Sequence, residues 1–437
     1  MESNEVLAFR TPRAADFFTE PGLTAECGHP RDEWALALVR ELVDNAIDAA
    51  EEAGRPPRIE IETTAGRTIV RDNGHGIPAD VVADICNPEI RVSSRSLYAA
   101  PTRGRQDNAW KTVLGIAYVL GDGRARIEIA SCGTRHTIHL SANDLTGVPD
   151  IKIESVEDRT CADGTEIVVY WPAEAAGLLE QTSEAFLQLV DGFAYTNPHL
   201  TINATWLGGS RAYTATDPEW GKWRPSDPTS PWWYTVETFG RLIAATIADL
   251  QRRGCDVTVR EFIAQFAGMK GTTRQKVVLD ALDLHRASLS VLTDGSQLNT
   301  DLIGALLCKM QELVKPIRAK KLGLVGKEHL RTRMIACGAM PESFRYRKRL
   351  SQEDNVPRVV ECAFAYCPDA DGRQLICGVN WSATPGTPFR DLGEERESLD
   401  GLLRQLEATP SQPVIVFAHM ACPNVVFTDR AKAAVAA

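Results

Sequence analysis

Apolar residues along this chain change their spacing several times, and each change predicts an element. Between residues 31 and 53 they recur with helical period. Leu38, Leu42, Ala46 and Ala49 form one stripe within "LVRELVDNAIDAAEEAG" (38–54). Residues 57–72 alternate instead: "RIEIE", then "RTIVRD", with "TTAG" between them, predicts a hairpin. A second hairpin is predicted over 124–141 around Gly133, and a further strand over "GTEIVVYWP" (164–172). Residues 207–233 are rich in Gly, Pro, Ser, Asp and Trp and read as a boundary, with Trp232 and Trp233 clasping the parts on either side. Residues 235–294 read as helix throughout. From about 300 the chain reads as helical, then as strands at "PRVVECAFAYCPD", "GRQLICGVNWS" and "QPVIVFAHMAC", with a helix, "EERESLDGLLRQLEAT", between the last two. Helices mixed with antiparallel strands predict an α+β sandwich. The composition shifts divide the chain into 1–235, 236–298 and 299–437.

Composition narrows this picture. Apolar content of 44% and charged content of 24% suit a globular chain, and no stretch approaches the roughly 20 apolar residues that span a bilayer. The N-terminal residues lack a charged-then-apolar signal layout. Eleven cysteines without a C-x-x-C pair argue against a disulfide framework and a tetrahedral zinc site, so reduced thiols and a cytoplasmic location are expected. The net charge is −10, yet Lys315 to Arg349 holds eleven Lys/Arg against two Glu. That run is either a solvated face or a local patch for phosphate backbones.

The polar positions carry the chemistry. Glu41, Asn45 and Asp48 stand at i, i+4 and i+7 and share one helix face. Asparagine is a poor mid-helix residue, but its oxygen is a hard ligand suited to Mg²⁺. A carboxylate one turn earlier can deprotonate a water. On this helix alone a polar surface stripe explains the pattern equally well. In "IVRDNGHGIP" (69–78) an apolar strand ends at Asp72 and enters a Gly-x-Gly turn, which allows close approach of a ligand. The aspartate can accept from an exocyclic amine, with an ordinary Asp-Asn-Gly turn as the alternative for this stretch taken alone. In "DGTEIVV" (163–169), Thr165 opens a strand and can support the same purine.

In this order, "ELVDNAIDA", "DNGHGIP" and the "GT" of the later strand resemble the GHKL (Bergerat-fold) ATPases. The resemblance implies a Bergerat sandwich over 1–235 that takes ATP and Mg²⁺. Glu41 would be the general base, Asn45 the Mg²⁺ ligand and Asp72 the acceptor for the adenine amino group. Gly74, Gly76, Ile77 and Thr165 would line the pocket, with Asp48 supporting it. "RGRQDNAWK" (103–111) lies where this family keeps its ATP lid. Gly104, Asn108 and Lys111 would there meet the phosphates, with help from Arg103 or Arg105, and Asp107 would be either a helix N-cap turned away from them or a handicap to their binding.

The rest of the chain resembles the B subunit of type IIB topoisomerase (topoisomerase VI) in order. "PRAADFFTEPGL" is similar to its N-terminal segment and "AYTNPHLTI" (194–202) to the strand closing the ATPase core. "VREFIAQFAGMKGTTRQKVVLDA" (259–281) is similar to its helix–two-turn–helix domain, here 236–298. "LGLVGKEHL", "VECAFAYCPD", "GVNWSATPG" and "FAHMACPNVVFTDRAKAAVA" are similar to parts of its transducer, here 299–437, the last to its final strand and helix start. The resemblance implies an ATP-driven homodimerising clamp that hands nucleotide state to a partner acting on DNA. That partner would be a topoisomerase VI A-like or other nuclease subunit, since no cleavage chemistry is visible in this chain. Three departures stand out: a lid with few glycines, no lysine between Lys348 and Lys432 to reach the γ-phosphate, and a chain that stops before a docking helix. Lys327 is the candidate replacement. A MORC-like or defence-associated ATPase that senses or compacts DNA, and a weakly active nucleotide-binding scaffold, remain as alternatives.

Overall fold

In the computed structural model, the described residues are 13–87, 97–103, 109–143, 147–294, 297–392, 397–427 and 435. Helix α1 (Glu20–Cys27) is capped by the Thr19 side chain and precedes α2 (Trp34–Glu52). The hairpin β1 (Arg58–Thr64) and β2 (Arg67–Asp72) follows, with strict in–out alternation along β1. Short α3 (Ala79–Ile85) and α4 (Ala109–Leu120) lead to β3 (Arg124–Ser131), β4 (Thr134–Ser141), β5 (Asp150–Glu157) and β6 (Thr165–Tyr170). Then come α5 (Ala176–Gln181), α6 (Ser183–Thr196), β7 (Thr201–Trp206) and β8 (Gly209–Tyr213).

These strands form one sheet in the order β5-β4-β3-β6-β2-β1-β7-β8. Only β1 and β7 run parallel; the other neighbours are antiparallel. Helices α2, α4 and α6 pack on the sheet through Trp34, Leu38, Leu42, Ile47, Leu114 and Phe186, against Ile59, Ile61, Val70, Ile127 and Ile167. The neighbouring strands β3, β4, β6 and β2 also carry charge pairs: Arg135 bonds Glu128, Asp158 and Glu166, and Arg71 bonds Glu166 at 2.6 Å. The fold is α+β, as the hydrophobic pattern predicts.

The stretch 194–202 is not one strand. Residues 194–196 finish α6, Asn197–Pro198 breaks the helix, and β7 begins only at Thr201. Beyond β8 a largely irregular segment leads to α7 (Val236–Arg252), α8 (Val259–Ile263) and α9 (Thr272–Leu282), the first two opened by capping boxes. A two-residue pair, β9 (Thr293–Asp294) and β10 (Gln297–Leu298), precedes α10 (Thr300–Leu313) and α11 (Lys327–Ala336). A second sheet contains β11 (Arg345–Glu353), β12 (Val356–Tyr366), β13 (Gln374–Val379), β14 (Ser382–Thr384) and β15 (Val414–Ala421), in the order β11-β12-β15-β13-β14. Helix α12 (Leu399–Gln405) is shorter than its sequence pattern suggests. The helix expected near the C-terminus lies outside the described residues.

Helices α7 to α11 and the second sheet share one apolar cluster, with Phe239, Phe262, Phe266, Met310, Trp381 and Phe417 inside it. The tryptophan pair joins this region, and both of its hydrogen bonds lie on this one side of the boundary rather than across it. Trp232 Nε1 donates to Val314 O at 2.7 Å, and Trp233 O accepts from Asn424 Nδ2 at 2.7 Å.

Candidate functional site

Half-buried Glu41, Asn45 and Ala49 run along one side of α2 at intervals of four residues. At Ala49 this line meets the turn after β2: a Cβ on Gly74 would lie 2.8 Å from Ala49 Cβ, and His75 Nδ1 is 3.3 Å from Ala49 O. The turn and the helix are therefore one surface, so the predicted base, metal ligand and Asp72 share it.

Three strand ends build the other wall. Asp72 closes β2, Thr165 opens β6 and Ser131 closes β3; Thr165 is the register partner of both others. The Asp72 carboxylate accepts from Gly74 N–H at 2.7 Å and from Thr165. Burial pushes this carboxyl above its ordinary value, against the lowering effect of those donors. Ser131 Oγ accepts from Ile77 N–H at 2.7 Å and donates to Gly164 O at 3.1 Å. Two glycines are required here. Gly76 has φ +83° and a Cβ would come within 2.8 Å of Ser131 Oγ and Cys132 Sγ. Gly164 has φ +76° and a Cβ would lie 2.1 Å from Asp72 O. The structure thus brings Asp72, Gly74, Gly76, Ile77 and Thr165 into one cradle. Sequence reasoning misses Ser131; the register of the β3–β4 hairpin is the signal that could find it.

Lys111 sits in the first turn of α4, with Nζ 5.9 Å from the Phe17 ring centroid. Gly104, Asn108, Arg105 and Asp107 lie outside the described residues.

Asp48 and Arg103 have a different setting. Arg103, with a fully buried side chain, donates to Asp48 Oδ1 at 2.5 Å, to Glu51 Oε1 at 2.9 Å and to the Asn197 side-chain oxygen. Its Nε donates to Trp381 O at 3.3 Å and lies 3.9 Å from Asp44 Oδ1. Lys222, its side chain 1% exposed, bonds Glu51 at 2.7 Å and stands over the Trp381 ring at 4.9 Å. Ser382 Oγ donates to Asp44 Oδ2 at 2.7 Å. Burial raises Asp44 to about 6. Burial also pushes the Glu51 carboxyl up, but Arg103, Lys222 and His199 outweigh it and hold Glu51 well below its ordinary range. Here the inner side of α2 is fastened to the β13–β14 turn. That two-residue turn holds Asn380 at φ +50° and Trp381 at φ +64°, an uncommon conformation for so bulky a side chain. Three donors on the Trp381 carbonyl hold it there: Arg103, Thr196 and Asn197. Arg103 is committed to these carboxylates and this carbonyl, not to a phosphate. Sequence reasoning also misses Asp44, Glu51, Lys222 and Trp381 as site residues, because their partners come from distant segments of the chain.

The donors present fit Mg²⁺ and a purine nucleotide. Asn45 offers one hard oxygen, which suits an ion that keeps waters and phosphate oxygens as its other ligands, and Asp72 offers an acceptor in a tight-walled cradle.

Residues 32–175 match the family model described as "Histidine kinase-, DNA gyrase B-, and HSP90-like ATPase". Among curated relatives, the B subunit of type 2 DNA topoisomerase 6 from Methanosarcina mazei is 27% identical over 174 residues, covering 38% of this chain and 27% of that protein. Its counterpart from Halobacterium salinarum is 30% identical over 195 residues, covering 40% of this chain and 22% of that protein. The matched part thus spans 27% and 22% of those relatives' own length. Among solved structures, the ATPase region of Saccharomyces cerevisiae topoisomerase II aligns over 92% of this chain and 76% of its own, at 12% identity and a TM-score of 0.39. The B-subunit of DNA gyrase from Myxococcus xanthus aligns over 95% and 85%, at 13% identity and a TM-score of 0.37.

Proposed function

We propose, from the membership of residues 32–175 in this ATPase family, that the chain binds Mg²⁺·ATP between α2 and the Asp72–Thr165 cradle and hydrolyses it. The observation that carries the reading is the continuous line Glu41–Asn45–Ala49 running into the Asp72 turn. Asp72, held by Gly74 and Thr165, accepts the adenine amino group. Asn45 supplies the protein oxygen to Mg²⁺, which when bound neutralises phosphate charge. Glu41, one turn earlier, takes the proton from the attacking water. Lys111 in the first turn of α4 adds positive charge where phosphates meet that helix.

The wider reading is a clamp of the topoisomerase VI B type. Two copies close on ATP, and the second sheet hands that closure to a DNA-handling partner. The support is the order of sequence resemblances together with the fastening of α2 to the β13–β14 turn.

Glu41→Ala tests the chemistry. Turnover should fall by roughly 10²–10⁴ while Mg²⁺·ATP binding stays close to the parent's, because only the water-activating group is lost. Undiminished hydrolysis removes Glu41 from the mechanism.

A further inference from the structure

The basic run noted in the sequence is not helical throughout. Its densest part, Arg345–Arg349, lies on β11, the edge strand of the second sheet. Arg345, Arg347 and Arg349 pair across to Phe364, Cys362 and Val360. They therefore share the sheet face opposite buried Val359, Glu361 and Ala363. All three arginines are exposed, and on the same face Phe364 and Tyr366 are 36% and 39% exposed. Alternate residues on a strand stand about 6.6–6.8 Å apart, so the three arginines leave the strand at regular intervals; Arg345 Nη1 donates to Glu342 O at 2.7 Å and to Phe344 O at 2.9 Å. The turn at Ala319–Leu322 packs on the other face of the sheet, where Ala319 and Leu322 join Val359 and Ala363, and it carries exposed Lys320 and Lys321 beside the same edge strand.

Two carboxylates on β11 and β12 are already engaged. Glu361, the register partner of Lys348, points inward and accepts from Val325 N–H, Gly326 N–H and Tyr346 Oη at 2.6–2.9 Å. Glu353, at the far end of the strand, pairs with Arg358 at 3.4 Å. Among the described residues no ion pair engages Arg345, Arg347, Lys348, Arg349, Lys320 or Lys321. A chain of net charge −10 thus concentrates exposed cations without counter-charges on one strand and the turn beside it. Arginine forks at regular spacing suit phosphate oxygens, which carry no sequence information.

We propose that β11, with Lys320 and Lys321 beside it, is a sequence-independent contact surface for the phosphate backbone of duplex DNA. The choice of DNA over other polyanions rests on the clamp reading above. The rival explanation is that charge on an edge strand only prevents strand-to-strand aggregation.

The test is binding of a short fluorescent DNA duplex by the full chain over a salt series. It compares the parent, Arg347→Glu/Arg349→Glu, Lys320→Glu/Lys321→Glu, and a control pair, Lys152→Glu/Arg159→Glu, with the same charge change on β5 and the turn that follows it. Thermal melting confirms that each variant folds. Both surface pairs should weaken binding roughly tenfold or more and lower the salt dependence by about two counter-ions, while the control pair stays near the parent. Equal loss in the control, or parental binding by both surface pairs, overturns the surface but leaves DNA handling standing. A parent that binds no DNA also overturns the surface, whereas the clamp reading, which gives DNA to a partner, falls if a non-hydrolysable ATP analogue with Mg²⁺ fails to dimerise the chain. Displacement of the duplex by polyglutamate more readily than by unlabelled duplex assigns the surface to an acidic protein and overturns the proposal.

Discussion

Charge is used in two opposite ways in this molecule. Around Arg103, charged groups are removed from water and paired: Asp44, Asp48 and Glu51 from α2 meet Arg103 and Lys222 beneath the Trp381 turn. On β11, Arg345, Arg347 and Arg349 stand in water without carboxylate partners. A buried ion cluster holds one geometry because any missing partner leaves a charge stranded. An exposed row contributes little to stability and remains available to a ligand. The two regions also approach each other. Tyr346 of β11 bonds Glu361, His419 Nδ1 lies 3.8 Å from Glu361, and His419 Nε2 accepts from Trp381 N–H, whose carbonyl accepts from Arg103. The fastening of α2 and the inner face of β11 thus lie close together across His419, with a 3.8 Å gap between His419 and Glu361.

The contrast can be broken most forcefully at its buried end. Arg103→Met leaves Asp48 and Glu51 without their main cation and should cost about 3–5 kcal/mol, read as a lowered urea midpoint. A loss below about 1 kcal/mol would mean the cluster is not holding the two sheets together. A smaller effect is expected at His329, which is buried between Tyr195 O and Thr216 Oγ1. Burial, and after it Arg333, lowers its pKa from 6.5 to about 4. Between those values the unfolded chain takes up a proton that the folded chain refuses, so stability is full above pH 6.5 and is lost as pH falls toward 4. Relative to the parent, His329→Gln should lose about 2 kcal/mol less between pH 7.5 and pH 5 in urea titrations. Identical pH slopes would show that His329 titrates normally. The smallest effect belongs to the exposed end. Arg347→Glu/Arg349→Glu should move the urea midpoint by less than about 0.5 kcal/mol, whatever it does to DNA binding. A large loss there would mean that β11 is held by its charges after all.

How legible each region is from sequence follows from how local its physics is. Helix α2, the β1–β2 hairpin and the Asp72 turn are short-range features, set by helical period, alternation and glycine placement, and all three are where the pattern puts them. The pairing of Asp72 with Thr165 is suggested by motif order but is made by strand register. Arg103 is the hardest residue to read. An arginine beside Gly104 looks like a phosphate contact, whereas its burial depends on Asn197, Lys222 and Trp381 arriving from distant segments. Strand β11 is obscured by its charge. "RYRKRL" does alternate, with Tyr346, Lys348 and Leu350 on one face, but a run of basic residues hides a period of two when the outer face is all arginine.

Base selectivity distinguishes a purine site at Asp72 from any other placement of the nucleotide. Equilibrium titration of the parent with non-hydrolysable ATP and ITP analogues in Mg²⁺ isolates the group on the six position of the purine, an amine in one and a carbonyl in the other. With Asp72 as acceptor, the ATP analogue should bind at least about tenfold more tightly, because the carbonyl of the other leaves the carboxylate facing an acceptor. Equal affinity for the two analogues would contradict the assignment of Asp72 and, with it, this placement of the nucleotide.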